Sequence, residues 1–267
     1  MKLVKILCLY ALMVAGVCEG QTAARNWNGK RCAVVLTYDD ALNVHLDKVI
    51  PQLNSFGFKG TFYLIGNAPV VSNRIDDWRK AAQQGHELGN HTLNHPCIGS
   101  LPGRGFITPE TDLARYTVAR AVSEIRATNT ILKAIDGKSL RTFAYPCGDL
   151  TINDTLFYDR VKAEFACGRG VAQGYLQAKE VNLSDVNAFA EINATAEQMI
   201  AEVEKAEKAG SFIVFIFHGV GGEHPLNVDL EEHRKLLEYL KKKEKDIWVT
   251  TMVDLAVYIQ KMQVTKR

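Results

Sequence analysis

Residues 32–40 read Cys-Ala-Val-Val-Leu-Thr-Tyr-Asp-Asp, an apolar run that ends in two adjacent carboxylates. The run is short and has little polar alternation, which is typical of a parallel strand buried on both faces. Two charges side by side at the end of such a strand are costly to bury unless a cation or an arginine neutralises them. Asp39 and Asp40 therefore indicate either a solvated turn or helix cap, which Asp favours, or a site that holds a cation.

Apolar runs of the same kind recur along the chain and alternate with amphipathic stretches. The predicted strands are 32–38, 60–65, 87–89, 142–145, 164–166, 212–217 and 247–250. The predicted helices are 75–84, 109–135 with Thr108 as its cap, 195–210 opened by a capping box, 229–243 and 253–262. Alternation of this kind without a linker predicts an α/β fold with one closed or nearly closed parallel barrel, and an open doubly wound sheet is the competing topology.

The overall composition is that of an ordinary globular protein and excludes several classes. The chain has 267 residues, of which 47% are hydrophobic and 23% charged, with only 7 Pro and 20 Gly. Collagen-like and disordered classes are excluded by these values. The formal net charge of +2 supplies no broad basic field, so we expect no nucleic-acid partner.

The N-terminus has the pattern of a secretory signal peptide. Two lysines precede an uncharged apolar run over residues 6–17, which is too short to cross a bilayer but has the length of a signal-peptide core. We expect residues 1–20 to be a signal peptide cut near positions 20–24. Secreted or periplasmic localisation without stable membrane insertion follows. A lipoprotein is disfavoured, because valine rather than a small residue precedes Cys18.

Four cysteines lie beyond the predicted signal peptide, namely Cys32, Cys97, Cys147 and Cys167. Four cysteines allow three pairings, and the sequence selects none of them. A domain of this size does not need disulfides to stabilise its core. We therefore expect one bridge at most, with the other cysteines buried as small apolar groups.

Polar residues follow several of the other predicted strands. His91-Thr-Leu-Asn-His95 follows the third strand, Pro146-Cys-Gly148 follows the fourth, and His218 follows the sixth. Ligands bind at the carboxyl ends of strands in barrels and in open α/β sheets alike, so these side chains are expected to converge with the two aspartates. The spacing of His91 and His95 suits two ligands of one metal ion.

Two histidines and one carboxylate, with an open position for water, are the ligand set of catalytic zinc and also of non-haem iron. Hydrolysis gives the second carboxylate a task, because a metal-bound water needs a base to take its proton. An oxygen-using iron enzyme shares the ligands but leaves Asp39 without a task.

Four of these segments resemble, in order, motifs of the polysaccharide deacetylase family, the NodB-homology or carbohydrate esterase 4 group. They are Thr37-Tyr-Asp39-Asp40, His91-Thr-Leu-Asn-His95, Arg141-Thr-Phe-Ala-Tyr-Pro146-Cys-Gly148 and Phe215-Ile-Phe-His218. The resemblance covers nearly all of the chain beyond the signal peptide. It implies a polysaccharide deacetylase-like catalytic domain over residues 26–264, folded as a single distorted (β/α) barrel with about seven β/α units.

The resemblance also implies a divalent metal, usually Zn²⁺, with Co²⁺, Mn²⁺ and Ni²⁺ as alternatives. Carried over by position, Asp40, His91 and His95 are the metal ligands. Asp39 is the general base that deprotonates the metal-bound water. Arg141 is expected to keep Asp39 ionised, because a guanidinium beside a carboxylate lowers its pKa.

On the substrate side, the resemblance implies that His218 is the general acid and that the backbone N–H of Cys147 stabilises the oxyanion. Tyr145 and Pro146 are the expected substrate-binding residues. The family has an aromatic residue where this chain has Cys147. Its fourth motif has no clear counterpart here, and Asp185 is the nearest candidate for a partner of His218.

The predicted function is that of a secreted, metal-dependent hydrolase that removes N- or O-linked acetyl groups from an acetylated oligo- or polysaccharide. The alternative is a non-catalytic metal- or glycan-binding barrel. The enzyme is favoured because a base, an arginine and an acid are all present at Asp39, Arg141 and His218. The sequence does not select the glycan, amide over ester, or the oligomeric state.

Overall fold

The computed structural model describes residues 25–264, and eight strands of this range form one curled, parallel sheet. The strands are β1 (Cys32–Asp39), β2 (Thr61–Leu64), β3 (Glu87–Asn90), β4 (Phe143–Ala144), β5 (Gly168–Arg169), β6 (Phe189–Ala190), β7 (Phe212–Phe217) and β8 (Ile247–Thr250). Their order is β5-β4-β3-β2-β1-β7-β6, and β8 pairs with the first half of β1. This half-barrel confirms the predicted distorted (β/α) barrel.

Within residues 25–264, seven α-helices connect the strands or pack on the sheet. They are α1 (Ile50–Phe56), α2 (Pro69–Asn73), α3 (Ile75–Gln83), α4 (Val118–Asp136), α5 (Ala196–Ala209), α6 (Leu230–Lys242) and α7 (Met252–Val264). The predicted capping box at Thr195 and Gln198 is present, and α5 stops where Gly210 adopts φ 61°. None of the helices within residues 25–264 is long and apolar enough to cross a membrane.

Every residue of the central strand β1 is buried, and this burial accounts for the apolar run in its sequence. Val34 and Leu36 contact one hydrophobic cluster, whereas Ala33 and Val35 contact a second cluster on the opposite face of the sheet. A strand covered on both faces needs apolar residues at successive positions rather than at alternate ones.

Two predicted elements were wrong in position. Residues 164–166 are not a strand, since Lys162–Glu164 forms a 3₁₀ turn and the strand lies at Gly168–Arg169. The long helix predicted over 109–135 begins only at Val118, with Thr117 as its cap. The residues before it bond instead to Cys97, whose N–H donates to Thr111 and whose carbonyl accepts from Leu113.

The predictions for the N-terminal segment and the cysteines have different outcomes. The predicted signal peptide lies outside the described residues. Within residues 25–264, Cys97 and Cys147 form a single disulfide, and Cys32 and Cys167 are buried thiols. The expectation of at most one bridge is confirmed for this part of the chain.

Candidate active site and metal centre

The strand register brings the polar residues together at one edge of the sheet. Tyr38 of β1 pairs with Phe217 of β7, so Asp39 and His218 follow on adjacent strands. Leu64 pairs with Asn90, which places His91 just past the end of β3. Asp39, His91 and His218 line a cavity of about 750 Å³. Its other polar or aromatic lining residues include Asp40, His95, Tyr145, Cys147 and Arg169. The predicted convergence at the carboxyl ends of the strands is therefore present.

Asp40, His91 and His95 form a cluster that fits a divalent metal ion. Asp40 Oδ1 lies 3.5 Å from His91 Nε2 and 3.5 Å from His95 Nε2. This oxygen is buried and accepts no hydrogen bond, as expected of an atom whose partner is a cation. Nitrogen and carboxylate oxygen are the donors that zinc takes in catalytic sites. Asp40 also has φ 81°, a left-handed backbone that is costly for a non-glycine residue.

The two histidines of the cluster differ in their electrostatic surroundings, because the carboxylates of Asp39 and Asp40 raise the pKa of His91 in spite of its burial, whereas the pKa of His95 is lowered. Nδ1 of His91 lies 2.9 Å from the carbonyl oxygen of Ala144, and since a carbonyl can only accept, this nitrogen carries the proton. In the neutral His91 ring, which is the form that binds a metal ion, the lone pair is therefore on Nε2, which faces Asp40. Burial and the neighbouring His91 lower the pKa of His95 to about 4, so this ring is neutral near pH 7.

Asp39 lies beside the cluster of Asp40, His91 and His95. It forms an ion pair with an arginine that the sequence analysis did not predict for this role. Arg169 donates to Asp39 Oδ2 at 2.5 Å, and both side chains are buried. Burial alone would raise the pKa of Asp39, but the charges of Arg169, His91 and His218 lower it below its ordinary value. Asp39 Oδ1 is buried and accepts no hydrogen bond. One oxygen of an ionised carboxylate is thus left unpaired.

The prediction that Arg141 contacts Asp39 was wrong. Arg141 donates to both carboxylate oxygens of Asp136 at 3.2 Å and to the carbonyl oxygens of Leu88 and Lys138. It precedes β4 in the chain and so lies at the amino end of that strand, away from the site. Arg169 ends β5 at the carboxyl edge. The available signal was an arginine between two glycines directly after a predicted strand.

His218 faces the other oxygen of Asp40 and is held through its backbone. His218 Nε2 is 3.9 Å from Asp40 Oδ2. The carbonyl oxygen of His218 accepts a hydrogen bond from Nε2 of the buried His45 at 2.8 Å. Burial lowers the pKa of His218 and outweighs the opposing charges of Asp39 and Asp40. Among the described residues, Asp185 has neither a hydrogen bond nor an ion pair to His218.

His224 is a further residue of the site that sequence reasoning missed. Its ring stacks on that of His218, with centroids 5.0 Å apart, and its Nε2 lies 3.8 Å from Asp40 Oδ2. The backbone N–H of Leu226 donates to His224 Nδ1 at 3.1 Å, so in the neutral ring the proton is on Nε2. His224 therefore presents an N–H donor to the cavity. A second histidine in the glycine-rich loop after β7 was the only signal in the sequence.

The predicted substrate-binding residues are placed differently by the structure. Tyr145 and Cys147 line the cavity, whereas Pro146 is buried and does not line it. Pro146 instead begins the 3₁₀ turn Pro146–Gly148 that carries Cys147. The Tyr145 hydroxyl donates to the carbonyl oxygen of Ser184 at 2.7 Å, so its ring rather than its hydroxyl is available to a ligand.

Comparison with known proteins shows the family of this chain. The family model described as polysaccharide deacetylase matches residues 27–167, which is more than half of the chain. The chain therefore belongs to the polysaccharide deacetylase family, and the resemblance drawn from the motifs is confirmed.

Individual relatives cover only part of the chain. The uncharacterized protein YlxY of Bacillus subtilis is 32% identical over 40% of this chain and 28% of its own length. A peptidoglycan-N-acetylglucosamine deacetylase of Bacillus cereus is 27% identical over 46% of this chain and 39% of its own length. This chain thus spans well under half of the curated relatives it matches.

A solved structure shows the same fold over most of the chain. It is a family 4 acetyl xylan esterase from Clostridium thermocellum in complex with a cobalt ion. The TM-score is 0.54 at 21% identity, covering 84% of this chain and 90% of that one.

Proposed function

We propose that this chain is a metal-dependent hydrolase that removes N- or O-linked acetyl groups from an acetylated oligo- or polysaccharide. The observation that carries the proposal is the unpaired Oδ1 of Asp39, a buried and ionised carboxylate beside the cluster of Asp40, His91 and His95. A hydrolase needs a base next to its metal ion, whereas a metal-binding relic has no use for one.

We propose Zn²⁺ as the resident ion, held by Asp40, His91 and His95. The similar acetyl xylan esterase structure contains cobalt, which supports a divalent ion in sites of this family. When bound, such an ion polarises the acetyl carbonyl and lowers the pKa of a water molecule.

The chain's own residues supply the proton transfers. Asp39 Oδ1 takes a proton from the attacking water, and Arg169 keeps Asp39 ionised by holding its other oxygen. His218 gives a proton to the departing sugar oxygen or nitrogen. Because burial lowers the pKa of His218, its protonated ring is a stronger acid than an exposed imidazolium.

The backbone N–H of Cys147 is proposed to donate to the oxyanion that forms on the acetyl group. Cys147 lines the cavity at the turn that follows β4, on the side of the site opposite to His218 in the order of the strands. A donor of this kind is worth roughly 3 kcal/mol in other acyl-transfer enzymes.

We also propose that the protein is exported, because the N-terminal segment has a signal-peptide pattern. The near-neutral charge suits a neutral or weakly charged glycan.

Acetate release tests the activity. The purified protein would be incubated with acetylated xylan, chitooligosaccharides and peptidoglycan, with Zn²⁺ and then with an excess of chelator. Release from at least one substrate that stops with chelator and returns with metal is expected. Chelator-insensitive release, or glycan binding without any release, would contradict the proposal, and the second result would support the non-catalytic alternative.

A further inference from the structure

The disulfide between Cys97 and Cys147 joins two parts of the proposed site that the chain itself separates by 50 residues. Cys97 lies two residues after His95, a proposed metal ligand. Cys147 lies in the turn Pro146–Gly148 and carries the proposed oxyanion donor. Cys97 is fully buried, whereas Cys147 lines the cavity.

The two histidine ligands differ in what holds the nitrogen that faces away from the metal. Nδ1 of His91 donates to a carbonyl oxygen at 2.9 Å. Nδ1 of His95 lies 3.6 Å from the sulfur of Cys97, and sulfur is only a weak acceptor. The orientation of the His95 ring therefore depends on its backbone and on the disulfide beside it, since a strong hydrogen bond of the kind that holds His91 is replaced by a sulfur contact.

The backbone is in the left-handed region near one end of the disulfide, at His95 two residues before Cys97, and at its other end, Cys147. His95 has φ 52° and Cys147 has φ 54°, although neither is glycine. Such a conformation costs a residue with a Cβ atom about 1–2 kcal/mol and persists only where its surroundings fix it. The disulfide is a covalent connection between these two strained segments.

We propose that the Cys97–Cys147 disulfide is a positioning element of the active site, which fixes the ring of His95 and the backbone N–H of Cys147 relative to each other. The proposal rests on the proposed function, because it takes from it the metal ligand His95 and the oxyanion donor Cys147, but its effect on metal affinity is measured without the hydrolytic activity. Its first consequence is that the disulfide contributes to metal affinity, although neither sulfur is a metal ligand in the oxidised protein.

Reduction has a second consequence, because it makes the sulfurs available as ligands. A dithiol supplies two electrons and two protons, the S–S bond breaks to give two thiols, and the dithiol itself becomes a disulfide. Ligand atoms of His95, Cys97 and Cys147 lie within 4.8 Å of one another, so the reduced protein has a Cys₂His set that suits zinc. This set competes with Asp40 and His91 for His95.

The first experiment removes the disulfide by mutation. The Cys97→Ser, Cys147→Ser double variant would be compared with Cys32→Ala, which removes a buried thiol remote from the cavity. We expect the double variant to bind Zn²⁺ about 10- to 100-fold more weakly in a chelator competition, with a lower kcat at saturating metal and little change in KM. The control variant is expected to match the wild type. A folded double variant with wild-type metal affinity would overturn the proposal, whatever its thermal stability.

A second variant separates the two ends of the link. Cys97→Ser with Cys147→Gly places a glycine, which adopts positive φ without cost, in the turn. Relative to the double serine variant, it is expected to regain part of kcat but none of the metal affinity. Recovery of metal affinity by this glycine would contradict the role assigned to the sulfur beside His95.

Native-state reduction covers the case in which the variants do not fold. The wild-type protein, reduced with a dithiol that is then removed by gel filtration without air before Co²⁺ is added, is expected to show a thiolate-to-cobalt absorption band, whereas the oxidised protein shows none. A reduced and folded protein without this band, and with unchanged metal affinity, would overturn the proposal. Absence of acetate release from the wild type would instead contradict the proposed function and leave the metal measurements decisive here.

Discussion

Two buried Arg–Asp ion pairs lie at opposite edges of the sheet, one at the carboxyl ends of the strands and one at the amino end of β4. They have the same chemical groups but differ in how many of their carboxylate oxygens accept a hydrogen bond. Arg169 binds Asp39 at the carboxyl edge, and Arg141 binds Asp136 at the amino end of β4. Both arginine side chains are 1% exposed. In the Arg141 pair, both carboxylate oxygens accept from the guanidinium. In the Arg169 pair, one carboxylate oxygen has no hydrogen bond.

We infer that the unpaired carboxylate oxygen of Asp39, rather than the ion pair itself, distinguishes the proposed functional pair from the structural one. In the Arg141 pair neither carboxylate oxygen is open to a proton, because both accept hydrogen bonds from the guanidinium; within residues 25–264 the atom of that pair left without a partner is the donor Nε of Arg141. Arg141 joins the end of α4 to the backbone around β3 and β4 through Leu88 and Lys138. Asp39 has one oxygen without a hydrogen bond, which in the proposed mechanism takes the proton of the attacking water.

The largest expected effect comes from neutralising the carboxylate in each pair. Asp39→Asn is expected to lower kcat by about 10²–10⁴-fold, because it removes the proposed base, while leaving Zn²⁺ affinity near that of the wild type. Asp136→Asn is the matched control, which should lose stability and keep kcat per folded molecule. Acetate release and metal content measured on both variants check this. Full activity in Asp39→Asn would remove the functional distinction between the pairs.

Arg141→Gln tests the structural pair. It is expected to lower the free energy of unfolding by about 3–5 kcal/mol, because it leaves Asp136 as a buried and unpaired charge. The activity of the folded fraction should be unchanged, since Arg141 does not reach the cavity. Urea unfolding followed by circular dichroism, with kcat measured well below the transition, checks both parts. A specific loss of kcat in the stable fraction would assign Arg141 to the site after all.

Arg169→Gln tests the functional pair. We expect kcat/KM at neutral pH to fall roughly 10- to 100-fold, since Arg169 orients Asp39 and keeps it ionised. Arg169 holds the pKa of Asp39 below its ordinary value, so its removal raises that pKa and moves the acid limb of the kcat/KM profile to higher pH. The pH profiles of the variant and the wild type decide this. A uniform loss at every pH would argue for a structural role only.

The smallest expected effect comes from Glu191, a buried carboxylate that forms no ion pair with any arginine of residues 25–264. Burial and the neighbouring Glu202 raise the pKa of Glu191 from 4.5 to about 7. The protonated form therefore stabilises the fold below about pH 4.5, and this contribution is lost as the pH rises through about 7. Glu191→Gln should be more stable than the wild type at pH 8, by on the order of 1 kcal/mol, and equal to it at pH 4.5.

The control for this prediction is Glu197→Gln, which changes an exposed carboxylate at the start of α5. Denaturant unfolding of both variants at the two pH values would be compared. Equal pH dependence in wild type and Glu191→Gln would show that an unpaired buried carboxylate is tolerated here, and would weaken the reason given for the two arginine pairs.

Much of the fold and of the metal cluster was predictable because the information is local. The strand 32–38, the helix opened at Thr195 and the spacing of His91 and His95 depend on residues close in the chain. The start of α4 was predicted wrongly, because bonds to Cys97 draw residues 111 and 113 away from the helix. Local propensity cannot report such a partner.

The arginine that binds Asp39 was predicted wrongly for a related reason. Arg141 and Arg169 both lie at short strands, but at different ends. Arg141 precedes the N-terminal end of its strand, whereas Arg169 is the C-terminal residue of its strand. The strand that ends in Arg169 has only two residues, so its position could not be obtained from periodicity.

The order of residues along the chain was enough to predict the family, the parallel sheet and the residues that converge at the proposed metal site. These follow from apolar runs and from polar residues placed directly after them. The folded structure was needed to show which arginine neutralises Asp39, that His224 stacks on His218, and that Cys97 is bonded to Cys147. Each of these three is a contact between segments that are distant in the chain. Strand register and loop packing fix such contacts, and none of them produces a periodic pattern in the sequence.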